Sequence, residues 1–219
     1  MLFRHFFLGF ALQNYHDVEG AFPPAFASDP DGKPLCSWRV LISPYCEQRE
    51  FFDSYNLKAS WDDKANLALA QSDSFVNLFA CPSDPNYKDQ FDAVHVPFTN
   101  YVAIVGPGTI FPGGGKTVSL SEISDGAENT ILLVEIANSD IHWSEPRDLR
   151  FDEMSFTIND PRKPSISSPH DGGPGVLFAD RRFYRIAESI SPKTVKALIT
   201  IDGEDGISRA ELVRQGLLY

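Results

Sequence analysis

Three side chains near the end of the chain have the types and the spacing for chemistry. Residues 170–186 read HDGGPGVLFADRRFYRI, in which His170, Asp171 and Asp180 offer one imidazole and two carboxylates. Such a set can hold a metal ion or move a proton, provided the groups converge. The segment argues against convergence of His170 with Asp180. His170 opens a loop containing Gly172, Gly173 and Pro174, and an apolar strand over 176–179 then ends at Asp180. Four strand residues span about 13 Å, which sets the two residues at opposite ends of the strand. The expected roles are structural: Gly172 and Gly173 let the backbone approach the sheet closely, and Asp180 accepts N–H groups of the turn that follows. No catalytic residue, metal site or cofactor is assigned.

Other stretches imitate known sites and fail on spacing. FPGGGKT at 111–117 lacks the first glycine of a phosphate-binding loop, because Ile110 occupies that position. DGEDGISRAEL at 202–212 resembles a calcium loop, but a loop closed by Glu211 puts Asp205 where glycine is required. Ser208 followed by Glu211 reads better as a capping box. There is no G-x-S-x-G and no H-E-x-x-H, so a hydrolase has no visible nucleophile or zinc pair. His16 and Asp17 read as polar groups at a helix end. Asp152, Glu153 and Asp160, and the loop carrying Asp84, Asp89 and Asp92, read as solvated faces; His95 and His142 are assigned nothing.

The elements around these residues follow from pattern. In 176–179, Val176 and Phe178 point to one face and Leu177 and Ala179 to the other, so both faces are covered. A second short strand at 183–186 completes a hairpin. ILLVEI within 130–136 is the clearest strand. Residues 8–15 read as the end of a helix that exits over 17–24, since Pro23 and Pro24 forbid continuation. Helices are expected over 35–42, 47–55 and 61–72, an extended edge over 75–80, a buried strand over 99–105, a short helix or strand over 192–201 and a closing helix over 208–215. Residues 138–169 carry four prolines and no pattern. The expected fold is α+β: an N-terminal helix packed on an antiparallel β-sheet, with inserted short helices and long loops. No linker or repeat divides it, so 1–219 is read as one domain.

Several blocks carry a family resemblance. The interval from His170 to Asp180 with the interior GGPGVLFA resembles the His-x9-Asp-Gly signature of a bacterial prepilin-like family, domain of unknown function 1559, also labelled a solute-binding type. LGFALQNYHDVEGAFPP at 8–24, SWRVLISPY at 37–45, CPSDP at 81–85, TNYVAIVGPG at 99–108 and SDGAENTILLVE at 124–135 resemble further blocks of the family, in order along the chain. Arg181 departs from the Gly that follows the signature Asp. A two-residue Asp-Gly turn uses positive φ, and Arg there costs about 1–2 kcal/mol, so a turn that is longer or of another type is expected. The resemblance implies a pilin-like fold and a non-catalytic, extracytoplasmic envelope protein similar to a pilin or a type II secretion pseudopilin. It would be anchored by a leader and hydrophobic helix, which are expected to precede Met1 in the gene. Its partners would be copies of itself or related pilin-like subunits. The alternative is an extracytoplasmic solute- or glycan-binding module, for which Trp38, Trp61 and Trp143 could supply stacking surfaces. The resemblance also implies a cysteine in the opening helix, where residues 1–7 have none.

Composition bounds these readings. A net charge of −11 opposes nucleic acid and anionic membrane surfaces as partners. Hydrophobic residues make up 42% and include 17 Phe, enough for a core rather than a disordered tail. No apolar run reaches the roughly 18 residues of a membrane span. Cys36, Cys46 and Cys81 form no C-x-x-C. A 36–46 bridge would need Cβ atoms about 4 Å apart, whereas ten residues of straight helix separate them by about 15 Å. That bridge is not expected. Cys81 is expected to be unpaired, or paired only if the chain bends at Pro44.

Overall fold

The strand β5 (Ile131–Glu135) is buried along its whole length and centres the molecule. The computed structural model describes residues 2–72, 74–84, 98–203 and 206–219. Around β5, a four-stranded antiparallel sheet runs in the order β3 (Tyr101–Val102), β5, β7 (Gly175–Phe178), β8 (Phe183–Arg185). The register places Tyr101 opposite Glu135 and Val176 opposite Val134. The expected alternation of β7 is realised. Leu177 and Ala179 enter one hydrophobic cluster with Leu8, Ala11 and Leu12, while Val176 and Phe178 enter a second with Val195, Leu198 and Leu212.

The first cluster lies under α1 (Leu2–Glu19). Leu8, Ala11 and Leu12 recur at the spacing of one helical face, and Gly9 brings the helix backbone against Leu177. The helix runs further than the sequence indicates. Asp17 is inside it, and Gly20 ends it at φ 83° with its N–H on the His16 carbonyl, the left-handed cap that glycine adopts without strain. Beneath α1 the aromatic rings of Phe51, Phe75, Phe79 and Trp143 pack together, with Phe79 and Trp143 stacked at 5.5 Å. The second cluster is closed by α5 (Pro192–Ile199) and α6 (Arg209–Arg214). Among the described residues, no helix is long and apolar enough to cross a membrane.

Four local expectations are corrected. Residues 34–37 are a strand, β2 (Pro34–Ser37), paired with β1 (Phe26–Ser28); only Trp38–Leu41 is helical, as α2. Ser37 caps α2 by accepting the Arg39 N–H, so the helix begins where its cap stands. Residues 74–78 form a 3₁₀ turn rather than an extended edge; a short apolar run does not distinguish a strand from a buried helical turn. The 99–105 segment is split between β3 and β4 (Ile104–Val105), and β4 pairs in parallel with β6 (Leu149–Arg150) in a separate ladder. Ser208 precedes α6 without a side-chain cap bond, and Glu211 turns instead to Arg214 and Gln215. The reciprocal box is at Ser119 and Glu122. Helices α3 (Arg49–Ser54) and α4 (Lys64–Ser72) fall inside their expected ranges. His95, Asp89 and Asp92 lie outside the described residues.

Candidate functional site

The turn after β7 explains the fate of Asp180. Arg181 N–H bonds to the Phe178 carbonyl and Phe178 N–H to Arg182, closing a three-residue loop with Arg181 at φ 71°. The turn is longer than two residues, as expected from the missing glycine, yet Arg181 still takes the positive φ that a longer turn should spare it. Asp180 accepts the Arg182 N–H at 3.1 Å and holds Arg209 in a two-pronged ion pair at 2.7 and 2.5 Å. Arg209 lies over the rings of Phe178 and Tyr184. Burial raises the Asp180 carboxyl, but the Arg209 bonds, the Arg182 N–H and both arginine charges outweigh it and leave it below the usual carboxylate range.

His170 meets a different set. Its Nε2 is 3.3 Å from Cys81 Sγ and 3.2 Å from Glu135 Oε1. Among the described residues, no hydrogen bond or ion pair joins His170 to Asp180, and Asp171 is no part of the cluster. Each member is placed by backbone. The His170 N–H bonds to Ser168 Oγ, and its carbonyl accepts from Gly173. Gly173, at φ 75°, passes so close to the Ile186 carbonyl that any Cβ would collide with it; at Gly172 a Cβ would meet the side chains of Arg185 and Tyr219. Glu135 ends β5 with Oε2 accepting the Gly175 N–H at 2.8 Å. Cys81 is held by its N–H on Asn100 Oδ1 at 2.6 Å, and Asn100 donates in turn to Asp84.

Burial first, and then the charge of Glu135, push the Cys81 thiol up to about 12. Both Sγ and Oε1 face the same ring nitrogen. A thiol–imidazole–carboxylate relay needs the two partners on different nitrogens, so the trio is not arranged as a nucleophilic triad. Glu135 Oε1 is buried and makes no well-aligned hydrogen bond among the described residues, its neighbours being His170 Nε2 and the Cys81 thiol.

Residues 7–158 match a family model described as a protein of unknown function, DUF1559. The chain belongs to this family. Neither a curated protein nor a solved structure matches it. The match covers Cys81 and Glu135 and stops before His170. Within the blocks that carry the resemblance, Cys81 opens CPSDP, Glu135 closes SDGAENTILLVE and His170 opens the signature.

The remaining sequence candidates sort by contact. His16 Nε2 accepts the Leu120 N–H, pinning the 3₁₀ turn at 120–122 to α1. His142 is buried against Trp61, its Nδ1 accepts from Ser144, and burial lowers it to about 4. Trp38 and Trp143 are fully buried and present no stacking surface; Trp61 is half-buried against His142. Cys36, Cys46 and Cys81 are free thiols. A cleft of about 680 Å³ runs between segments 136–141, 147–153 and 159–169 and ends at Pro169. Its lining mixes apolar groups such as Ile136, Ile141 and Leu149 with polar and charged ones such as Arg147, Lys163 and Ser167, and none of Cys81, Glu135 and His170 lines it.

Proposed function

We propose that this chain is the folded head of a non-catalytic, extracytoplasmic envelope protein that assembles in the manner of a pilin or pseudopilin. The observation carrying this reading is the layout of the first cluster: α1 laid on one face of an antiparallel sheet, with Leu8, Ala11 and Leu12 buried against β7. A helix packed on an antiparallel sheet is what the pilin resemblance implies. The family's solute-binding label supports the extracytoplasmic placement. The shared ring nitrogen of His170 supports a non-catalytic role. The partners are further copies of this chain or related pilin-like subunits.

The test uses the helix itself. Phe7 is 42% exposed on α1. A photo-crosslinking p-benzoylphenylalanine at Phe7 in the producing cell should give adducts to this chain or to a protein with a prepilin-type leader, identified by peptide mass spectrometry. Absence of such adducts at both Phe7 and the exposed Val18 overturns the reading.

The second reading, a solute-binding module, is favoured by the cleft ending at Pro169, whose size suits a small ligand. With Trp38 and Trp143 in the core and no aromatic side chain among the described residues lining the cleft, that ligand would be held by aliphatic and polar groups rather than by aromatic stacking.

A further inference from the structure

We propose that Cys81, Glu135 and His170 form a zinc site with one coordination position left open. This goes beyond the assembly reading and does not depend on it. The donor set is one sulfur, one oxygen and one imidazole nitrogen, the mixture zinc accepts. All three donor atoms lie within 4.8 Å of one another. Tetrahedral ligands at zinc bond lengths of about 2.0–2.3 Å stand roughly 3.4–3.7 Å apart. The observed 3.3 Å from Sγ to Nε2 and 3.2 Å from Nε2 to Oε1 need only a few tenths of an ångström of adjustment.

The second observation is the unmade bond. Glu135 is 1% exposed, and its Oε1 points at the cluster, where its neighbours are His170 Nε2 at 3.2 Å and the Cys81 thiol and no well-aligned hydrogen bond satisfies it among the described residues. Leaving a buried carboxylate oxygen unsatisfied is costly. Nε2 carries at most one proton, and the Cys81 S–H, which also reaches Glu135, is only a weak donor. A divalent cation satisfies all three donors together. The thiolate and the carboxylate balance its charge, so the filled site is neutral in a low-dielectric interior.

The supporting contacts are those a metal site needs. Gly175 N–H fixes the far oxygen of Glu135, so Oε1 is the one presented. Asn100 anchors the Cys81 backbone, and Asp84 anchors Asn100. Ser168 and Gly173 fix the His170 loop. The His170 side chain remains 13% exposed, which gives zinc a way in and the fourth position to water.

The full chain is stripped with EDTA and titrated with zinc against a chromophoric chelator. One-to-one uptake is expected, weakened by more than about 100-fold in Cys81→Ser and His170→Ala, since loss of a mere supporting contact already costs about 10–100-fold. Cobalt gives an independent reading that a misfolded variant cannot obscure. In a Cys36→Ala/Cys46→Ala protein, whose fold is checked by circular dichroism, Cys81 is the sole thiol. It should still show a thiolate-to-cobalt charge-transfer band with four-coordinate visible bands. Absence of that band, absence of zinc uptake by the wild-type chain, or uptake unchanged by both ligand substitutions overturns the site.

Discussion

Two buried carboxylates flank the short strand β3, and they are treated in opposite ways. At its far end Asp148 Oδ1 accepts from Arg39, from Trp38 Nε1 and from the Ala103 N–H, while Arg39 also bonds the Tyr101 carbonyl and Ser37 Oγ. Burial pushes the Arg39 pKa down and that of Asp148 up, and their mutual contact opposes both shifts. At the near end Glu135, paired across from Tyr101, has one oxygen on a backbone N–H and the other turned toward His170 and Cys81. The first carboxylate has its donors supplied by the fold and reads as structure. The second keeps binding capacity in the interior, where it is expensive to keep.

The contrast can be broken most forcefully at the closed end. Arg39→Ala leaves Asp148 charged and buried, and should cost about 3–5 kcal/mol in a urea unfolding series. A loss below about 1 kcal/mol would mean that Asp148 is not held by this network. The solvent-ward pair, Asp180 with Arg209, should fall between the two ends. Asp180→Asn should cost about 1.5–3 kcal/mol at neutral pH. Because the folded carboxyl lies below its ordinary value of 3.8, its contribution is complete above that value and is lost as pH falls through the lower folded one. The gap between wild type and variant should therefore stay level from pH 7 to about 5 and close in more acid solution. The smallest effect belongs to the open end. In EDTA, Glu135→Gln should change stability by less than about 1 kcal/mol, since the amide oxygen can still accept from Gly175 and a buried charge is removed. A penalty as large as that of Arg39→Ala would show Glu135 to be tied into the fold as firmly as Asp148 and erase the distinction.

How much of this was legible depends on the range of the interaction. The two faces of β7 and the strand within 130–136 follow from alternation and β-branching, whereas at Arg181 only the length of the turn was legible, since that residue takes the positive φ its type disfavours. The strand at 34–37 was hidden because Trp38, Leu41 and Ile42 share helical spacing with the residues before them, and only pairing with β1 decides it. Ser208 carries the sequence of a capping box, yet Glu211 has closer cationic company in Arg214. The Cys81–Glu135–His170 cluster has no spacing motif at all. Its members converge because β5 lies between β3 and β7. The one signal in the sequence was a glutamate ending a strand buried on both faces, a place where an acidic residue is rare without a partner.

Glu135 also has a bearing on the order of events in folding. Its surroundings draw on Asn100 just before β3, on the end of β5 and on the loop entering β7. These pieces are remote along the chain, and contacts of that kind form late because the intervening chain must first be closed into loops. The cluster therefore comes into being only once the last of the three strands has docked. A cation that needs all three donors would be held far more tightly by the finished sheet than by the loose cysteine and histidine of its precursors, so tight occupancy would report completed assembly of the domain.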